Sequence, residues 1–190
     1  MKLRITQYGE PVLRKKGAHI DSITPEIKAL AADMLETMYD AHGVGLAAQQ
    51  VGHALQLCVI DVTGVKDRPS AMKVDGQSVE PEKQMPLVLI NPEIKPAGDP
   101  VTGPEGCLSF PEVYGDVTRP GEVDVTATDV DGNRYSFRAG GLLAKAVQHE
   151  FDHLQGILFI DRMSSVTKDE LRAEIDSLQE ETKAELKKKR

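Results

Sequence analysis

The sequence has few of the residues that would place it in a specialised structural class. It has no tryptophan and only two cysteines among 190 residues, so a disulfide framework is excluded and a reducing, cytoplasmic environment is expected. No apolar run approaches the length of about 18 residues that a membrane span requires. The N-terminus also lacks the charged and then apolar layout of a signal peptide. These absences predict a cytoplasmic protein that makes no use of a membrane.

Basic residues are scarce relative to acidic ones. The chain has 23 lysines and arginines against 30 aspartates and glutamates, a formal net charge of −7. This balance is wrong for a protein that coats nucleic acid, and we expect no sequence-specific nucleic-acid partner. Hydrophobic residues make up 40% and charged residues 28%, which is the usage of an ordinary folded protein of one domain.

Two helices are predicted from apolar periodicity. The first covers residues 25–41, where Thr24 suits the N-cap, Pro25 suits the first helical position, and apolar side chains recur at helical spacing. The second covers residues 142–154 and ends before Gly156, a residue type favoured just beyond a helix. A third helix is predicted to open at Thr167–Glu170, which matches a capping box.

Strands are predicted at 55–62 and 86–92, and a hairpin pairs 123–127 with 135–139. The polar residues 63–85 are expected to form a surface insertion or hairpin. Residues 93–121 contain five prolines and five glycines, which predicts a shaped loop without regular structure. The expected fold class is α+β, with small mixed or antiparallel β-sheets packed around a central helix, an N-terminal helix and a C-terminal helix.

The strongest chemical signal is the H-E-x-x-H pattern His149-Glu150-Phe151-Asp152-His153 on the second helix. Two imidazoles one helical turn apart can hold one divalent ion, and the glutamate can reach water beside that ion. On a helical wheel Glu150 falls among apolar residues, a costly place for a carboxylate without a function. The alternative is a surface histidine pair beside an ion-paired glutamate, which the position of Glu150 disfavours.

A metal site of this kind needs a third protein ligand. A downstream glutamate, Glu170 or Glu174, would supply it in the zincin arrangement. Cys107 is the other candidate, because the glycine before it lets the backbone bend and present the sulfur. Cys58 lies among apolar residues within a predicted strand and is expected to be a core residue. The residues by themselves leave the choice between a glutamate and Cys107 open.

A run of small residues, GVGLAAQQ at positions 43–50, follows the first helix. Its glycines and alanines let the backbone approach another group closely. The amide of Gln50 could donate a hydrogen bond to a developing oxyanion. Tight helix packing would explain the small residues equally well.

Taken together, GVGLAAQQ, EGCLS and QHEFDHLQG resemble the three signature motifs of the peptide deformylase family, in the family's order. The resemblance implies a hydrolase that removes the N-formyl group from the N-terminal methionine of newly synthesised polypeptides and releases formate. It implies a metal site of Cys107, His149 and His153 that uses Fe²⁺ and accepts nickel, cobalt or zinc. It thereby favours Cys107 over the glutamates of a zincin.

The resemblance also implies roles for the residues around the metal. Glu150 would carry a proton from water to the leaving nitrogen, and Gln50 and the backbone N–H of Leu108 would hold the oxyanion. On the helical wheel Leu142 and Ala146 share the metal-ligand edge, which predicts an apolar slot for the methionine side chain. The expected substrate-binding residues are Val44, Leu142 and Ala146 in this slot, and Gly45 and Leu46 through main-chain hydrogen bonds to an extended peptide.

Three features depart from the family pattern. Lys145 stands where an apolar residue is frequent beside the pocket, and Tyr114 stands where many bacterial members place an arginine that contacts the substrate backbone. The insertion 63–85 is longer than in compact members. These features concern the details of the pocket and leave the expected chemistry unchanged.

Residues 1–166 are expected to form the catalytic domain, and residues 167–190 a C-terminal helix that is part of it or a docking appendage. This tail begins with acidic residues and ends in Lys187-Lys188-Lys189-Arg190, an order that complements a helix dipole. A solvated helix end is the simplest interpretation. The resemblance implies instead that the basic end helps the enzyme dock at the ribosome, and a non-catalytic ribosome-associated protein is a further alternative.

Overall fold

The structure is a computed structural model and describes residues 1–188. The strands are β1 (Gly45–Ala47), β2 (Leu57–Ile60), β3 (Ser70–Val74), β4 (Gln77–Val79), β5 (Leu87–Cys107), β6 (Phe110–Thr128) and β7 (Arg134–Gly140). The helices are α1 (Pro25–Asp40), α2 (Gly141–Leu154), α3 (Ser165–Glu170) and α4 (Arg172–Lys188). Short 3₁₀ turns connect several of these elements.

All seven strands belong to one sheet, hydrogen-bonded in the order β1-β2-β5-β6-β7-β3-β4. Each pairing between neighbours in this order is antiparallel. The α+β class with antiparallel strands is confirmed. The expectation of several small sheets is wrong, because the shorter strands all join one sheet with β5 and β6, which are 21 and 19 residues long.

The expectation of a loop at 93–121 is also wrong, because this region forms most of β5 and the first half of β6. Beyond Ile90, β5 pairs with β6 alone, and β6 meets β7 only from Glu122 onward. Proline has no backbone N–H to donate, but at a strand edge without a neighbouring strand no ladder hydrogen bond is lost. Register shifts between Ile90 and Glu93, Ala97 and Pro100, and Gly106 and Cys107 absorb the remaining irregularity.

The polar insertion forms a hairpin, as predicted. Strands β3 and β4 join through Asp75 and Gly76, which both have positive φ, at 51° and 77°. Such a turn matches the twist of an antiparallel pair. Because β3 also pairs with β7, the hairpin extends the sheet by two strands.

The helix predictions hold for α1 and α2 and need correction for the third helix. Thr24 caps α1 by accepting a hydrogen bond from the backbone of Ile27, as its position predicts. The third helix opens at Ser165, and Ser164, not Thr167, is its N-cap. The hydroxyl of Ser164 accepts the backbone N–H of Thr167. Serine and threonine offer the same capping hydroxyl, so the N-cap lies one turn before the predicted position.

Helix α2 packs against most strands of the sheet and is buried over most of its length. Its apolar side chains, including Leu143 and Val147, join a cluster with residues of β2, β5, β6 and β7. A second cluster lies under α1, and a third joins Phe110 and Phe159 to Ile175 of α4. None of the helices within residues 1–188 has the length and apolar character needed to cross a membrane. Lys189 and Arg190, the last two residues of the predicted basic end, lie outside the described residues.

Candidate metal centre

Cys107, His149 and His153 meet where the end of β5 lies against α2. Their ligand atoms all lie within 4.8 Å of one another, and Cys107 Sγ is 3.3 Å from His153 Nε2. The two imidazole rings are one helical turn apart, with centroids separated by 5.1 Å. Both histidines are buried and Cys107 is half-buried. Three donors from two distant segments of the chain therefore face one point.

A buried carboxylate holds the first histidine. His149 Nδ1 lies 3.0 Å from Glu105 Oε1. Burial alone would raise the pKa of Glu105, but the hydrogen bonds to His149 and Arg119 hold it at about 2. An ionised carboxylate can only accept, so His149 Nδ1 donates the proton of this hydrogen bond. The second nitrogen, Nε2, is left to face Cys107 and the site.

The charges around these residues suit a cation. Burial opposes protonation of His149, but hydrogen bonds to Cys107 and Glu105 raise its pKa well above its ordinary value. These neighbours favour positive charge at His149, which a metal cation would supply in place of the proton. Burial lowers the pKa of His153, so its neutral, ligating form is favoured. A thiol and two imidazoles are suitable donors for Fe²⁺, Zn²⁺, Co²⁺ or Ni²⁺. The residues present therefore fit a divalent transition metal.

Glu150 lies beside this cluster with an unused oxygen. Its side chain is buried, and among the described residues its Oε2 has no hydrogen-bond partner. Burial raises the pKa of Glu150 to about 7. A carboxyl group that exchanges its proton near neutral pH suits a general base or acid.

The backbone of β1 passes so close to Glu150 that only glycine fits. A Cβ atom added at Gly45 would lie 2.5 Å from Glu150 Oε1 and 2.9 Å from its Cδ. Gly45 was expected to contact substrate through its main chain, and the structure gives it this additional packing requirement.

We therefore expect Gly45→Ala to displace the Glu150 carboxylate and lower kcat by about 10²-fold, the typical cost of misplacing a reacting group by about 1 Å. Metal content should stay unchanged, because Glu150 is outside the ligand set. Gly103→Ala is the control, since its added methyl would meet only the flexible end of Lys145, at 3.1 Å. A Gly45→Ala enzyme with the wild-type kcat would show that this contact does not position Glu150.

Gln50 lies on the other side of the cluster, in the 3₁₀ turn Ala48–Val51. Its Oε1 accepts the backbone N–H of Ala47 at 2.9 Å, which fixes the orientation of the amide. Its Nε2 is then 3.3 Å from Ser109 Oγ and 3.5 Å from Cys107 Sγ. A buried amide donor is therefore held at the metal cluster. Leu108 follows Cys107 directly, after β5 has ended.

A cavity of about 460 Å³ opens next to the cluster and is lined by Cys107, His149 and Glu150. Four of the five expected substrate-binding residues also line it: Val44, Gly45, Leu142 and Ala146. The side chain of Leu46 is fully buried in the cluster under α1 and does not line the cavity. Successive side chains of a strand point to opposite faces, which separates Leu46 from its neighbours.

The three departures from the family pattern all reach this cavity. Tyr114 is 67% exposed and lies over Gly106, where an added Cβ would be 2.6 Å from its ring. The Lys145 ammonium donates to the carbonyl of Pro104 at 3.2 Å. Arg68, from the insertion, also lines the cavity.

A larger groove of about 1140 Å³ lies elsewhere, between residues 16–23 and the turn from β6 to β7. Neither Cys107 nor the two histidines line it. Glu170 and Glu174, the candidate ligands of a zincin, are exposed on α3 and α4. The chemistry of the molecule is therefore concentrated at the smaller cavity.

Sequence reasoning did not identify the charged residues behind the ligands. Glu105 and Asp152 lie within the EGCLS and H-E-x-x-H motifs, so their position was a usable signal. Arg119 lies in a region predicted to be a loop, and no local pattern marks it. The structure places Arg119 between the two carboxylates.

An H-E-x-x-H helix beside a cysteine, a buried glutamate and a cavity is typical of a metal-dependent hydrolase. The comparisons with known proteins identify the family. The profile of the polypeptide deformylase family matches residues 2–169.

Several relatives are similar over most of their length. A peptide deformylase of Methylacidiphilum infernorum is 48% identical over 178 residues, covering 94% of this chain and 93% of the relative. That of Opitutus terrae is 42% identical over 189 residues and 98% of each chain. Among solved structures, a plant peptide deformylase has a TM-score of 0.83 at 38% identity, covering 96% of this chain and 92% of that one. A peptide deformylase from Legionella pneumophila has a TM-score of 0.79 at 34% identity, covering 95% and 96%.

The chain belongs to the peptide deformylase family. It is a hydrolase that removes the formyl group from N-formylmethionine peptides. The alternatives of a zincin-type peptidase and of a non-catalytic binding protein are not favoured. The family is metal-dependent, in agreement with the donors that meet at the site.

Proposed function

We propose that Cys107, His149 and His153 hold Fe²⁺, and that Glu150, Gln50 and Leu108 carry out deformylation of N-formylmethionyl nascent peptides beside it. The observation that carries this proposal is the convergence of the three ligand atoms within 4.8 Å, next to a buried carboxylate with an unpartnered oxygen. The same donors suit nickel, cobalt and zinc, so the ligand set by itself does not select iron.

When bound, the cation supplies Lewis acidity that polarises the formyl carbonyl and lowers the pKa of nearby water. Glu150 takes the proton of the attacking water and returns it to the nitrogen of the leaving amine. A pKa of about 7 supports this double role, because the carboxyl group then gives up and accepts a proton with little cost near neutral pH. Its burial keeps competing water away from the proton in transit.

The negative charge that develops on the formyl oxygen needs hydrogen-bond donors. Gln50 Nε2 is held in place by the bond between its own Oε1 and Ala47, so it does not have to reorient during the reaction. The backbone N–H of Leu108 is proposed as the second donor, since it follows Cys107 directly. Each such donor contributes about 3 kcal/mol in a water-excluded site.

The peptide is proposed to bind along β1, at one edge of the sheet. Val44 accepts the N–H of Asp61 through its carbonyl, so the next residue, Gly45, turns its own main-chain groups to the free edge. An extended peptide can add there as a strand. The methionine side chain then enters the slot formed by Val44, Leu142 and Ala146. By the same alternation the main chain of Leu46 faces Val59 of β2, and its side chain is buried under α1, so the strand-addition contact is assigned to Gly45.

Formate release from an N-formylmethionyl peptide, measured anaerobically with iron, tests the function. We expect rapid release, with no cleavage of internal peptide bonds and no reaction of the unformylated peptide. Cleavage of internal bonds would indicate a zincin-type peptidase, and binding of the peptide without turnover would indicate a binding protein. Metal analysis of the anaerobically purified protein would identify the ion.

The helix α2 is proposed as the central element of one catalytic unit that includes the C-terminal helix. Supporting this, Ile175 of α4 packs in the same cluster as Phe110, and Gly9 lies close to Thr182 of α4.

A cytoplasmic location is proposed because formylated nascent peptides are the substrate and two unpaired cysteines are kept.

Docking at the ribosome is proposed for the end of α4, where Lys183, Lys187 and Lys188 are exposed. The triple change of these lysines to glutamine should weaken cosedimentation with ribosomes at low salt and leave formate release from a free peptide unchanged. The exposed Lys66, Lys73 and Lys95, all changed to glutamine, serve as a charge-matched control. Equal cosedimentation of all three proteins would contradict the docking proposal.

A further inference from the structure

A buried arginine connects the strand that carries the sulfur ligand to the helix that carries the two histidines. Arg119, on β6, is only 5% exposed. Its Nε and Nη2 donate to the two oxygens of Glu105 at 2.6 and 2.9 Å. Its third nitrogen, Nη1, donates to Asp152 Oδ2 at 2.9 Å. One guanidinium thus holds two carboxylates that come from different elements.

Both carboxylates are close to metal ligands along the chain. Glu105 lies two residues before Cys107 on β5, and Asp152 lies one residue before His153 on α2. Glu105 also accepts the Nδ1 proton of His149 at 3.0 Å. The separation between Glu105 and Asp152 is therefore tied to the separation between the sulfur and the histidine nitrogens.

We propose that Arg119 is a positioning residue, which holds β5 and α2 at the distance that brings Cys107 into reach of His149 and His153. This inference rests on the proposed function, since it assumes that these three residues bind the metal. It concerns how the protein builds the site in advance of metal binding. The ligand atoms of Cys107, His149 and His153 lie within 4.8 Å of one another, which is the arrangement such a clamp would maintain.

The chemistry of arginine suits this role. Its guanidinium is planar and rigid, and it offers five donors in a fork that matches carboxylate geometry. A lysine carries the same charge but only one nitrogen, so it cannot bridge both carboxylates with fixed geometry. Asp152 also accepts hydrogen bonds from Arg162, at 2.8 and 3.1 Å, on the outer side of the cluster. The two arginines are therefore balanced by two carboxylates, Glu105 and Asp152.

The burial of Arg119, Glu105 and Asp152 indicates that they position the metal ligands. Removing two carboxylates and an arginine from water is costly, and well-packed apolar residues often stabilise a protein as much or more. A cluster of this kind is therefore weak evidence for stability. The residues that orient metal ligands from behind typically change metal affinity by about 10–100-fold when they are altered.

The test is the affinity of the folded protein for Co²⁺. Arg119→Lys is compared with the wild type by competition against a chelator, at a temperature where circular dichroism shows both proteins folded. We expect about 10–100-fold weaker binding and an altered visible absorption spectrum of the cobalt protein, because the thiolate is displaced from the histidines. Arg138→Lys is the matched control, since Arg138 makes an equivalent two-fold contact with Asp124 at 2.7 Å on the same sheet. The control should keep the wild-type affinity and spectrum.

Arg119→Lys with wild-type affinity and spectrum would overturn the inference. If this variant does not fold, Asp152→Asn decides, because it keeps the shape of the side chain while weakening the bond from Arg119. Weaker cobalt binding by a folded Asp152→Asn protein supports the inference, and unchanged binding overturns it. Failure of the proposed function is separate: in that case the wild type itself would bind cobalt without a thiolate signal.

Discussion

Replacing Cys107 with alanine is expected to abolish metal retention and, with it, deformylation. Cys107 contributes the only sulfur among the three converging donors, and its Sγ lies 3.3 Å from His153 Nε2. The remaining two histidines lie on one helix and can form only a two-point chelate. Two imidazoles hold a divalent ion much less tightly than a closed set of three ligands that includes a thiolate.

The control for this variant is Cys58→Ala. Cys58 is the other cysteine of the chain, 1% exposed in the core beside residues of β2 and β5. Burial raises the pKa of its thiol well above its ordinary value, so this thiol stays protonated and inert. Cys58→Ala should keep full metal content and activity. The measurement is metal content after anaerobic purification, together with formate release.

Normal metal content in Cys107→Ala would contradict the proposed ligand set. The third ligand would then have to be a different residue, as in a zincin. The structure makes this outcome unexpected, because Glu170 and Glu174 are exposed on α3 and α4 and belong to no cluster with the histidines.

Glu150→Gln is expected to keep the metal and lose turnover. Glutamine preserves the shape of the side chain beside Gly45 but cannot accept and return a proton. General acid–base catalysis contributes about 10²–10⁴-fold, so kcat should fall by about that factor. The affinity for the peptide should change little, because Glu150 acts on the water and the leaving nitrogen. Kinetics of formate release and metal analysis on one preparation would measure both quantities.

Glu112→Gln is the matched control for this change. Glu112 lines the same cavity but is exposed. Its substitution should leave kcat near the wild-type value. A Glu150→Gln enzyme within tenfold of the wild type would show that another group carries the proton, since tenfold is below the smallest effect expected of a general base.

Prediction from sequence succeeded where the signal is local. Helix α1 has its cap, its proline and its apolar stripe within one run of residues, and the structure places it at Pro25–Asp40. Helix α2 and the hairpin of β6 and β7 were likewise predicted close to their observed bounds. In each case the residues that determine the element are its own neighbours.

The long strands show where local composition fails. Prolines and glycines at 93–121 indicate a loop when read as a segment, yet β5 and β6 pair through this region. What permits the pairing is that no further strand of residues 1–188 pairs with β5 beyond Ile90 or with β6 before Glu122, apart from one isolated bridge at Val117. A proline without an N–H on such an outer edge costs no ladder bond. Whether a strand has a neighbour on a given side is a property of the sheet and is absent from the segment itself.

Part of the candidate site was likewise predicted from the sequence, and part was decided by the structure. The resemblance of three motifs indicated Cys107, His149 and His153, and the structure brings their ligand atoms together. The residues alone had left the choice between a glutamate and Cys107 open. Leu46 was expected to bind the peptide through its main chain, but in β1 it pairs with Val59 of β2, and its side chain lies under α1.

The amino-acid sequence by itself determined the main helices, the charge balance, the motifs and the family they indicate, because each of these depends on residue types at short spacing. Only the tertiary structure decided that β5 and β6 are continuous strands, that Gly45 has no room for a side chain beside Glu150, and that Arg119 joins Glu105 to Asp152. The last two of these outcomes depend on residues 14 to 105 positions apart in the chain coming within hydrogen-bonding or van der Waals distance. Backbone pairing and the packing of buried charges bring such residues together, and no pattern in a short segment reports it.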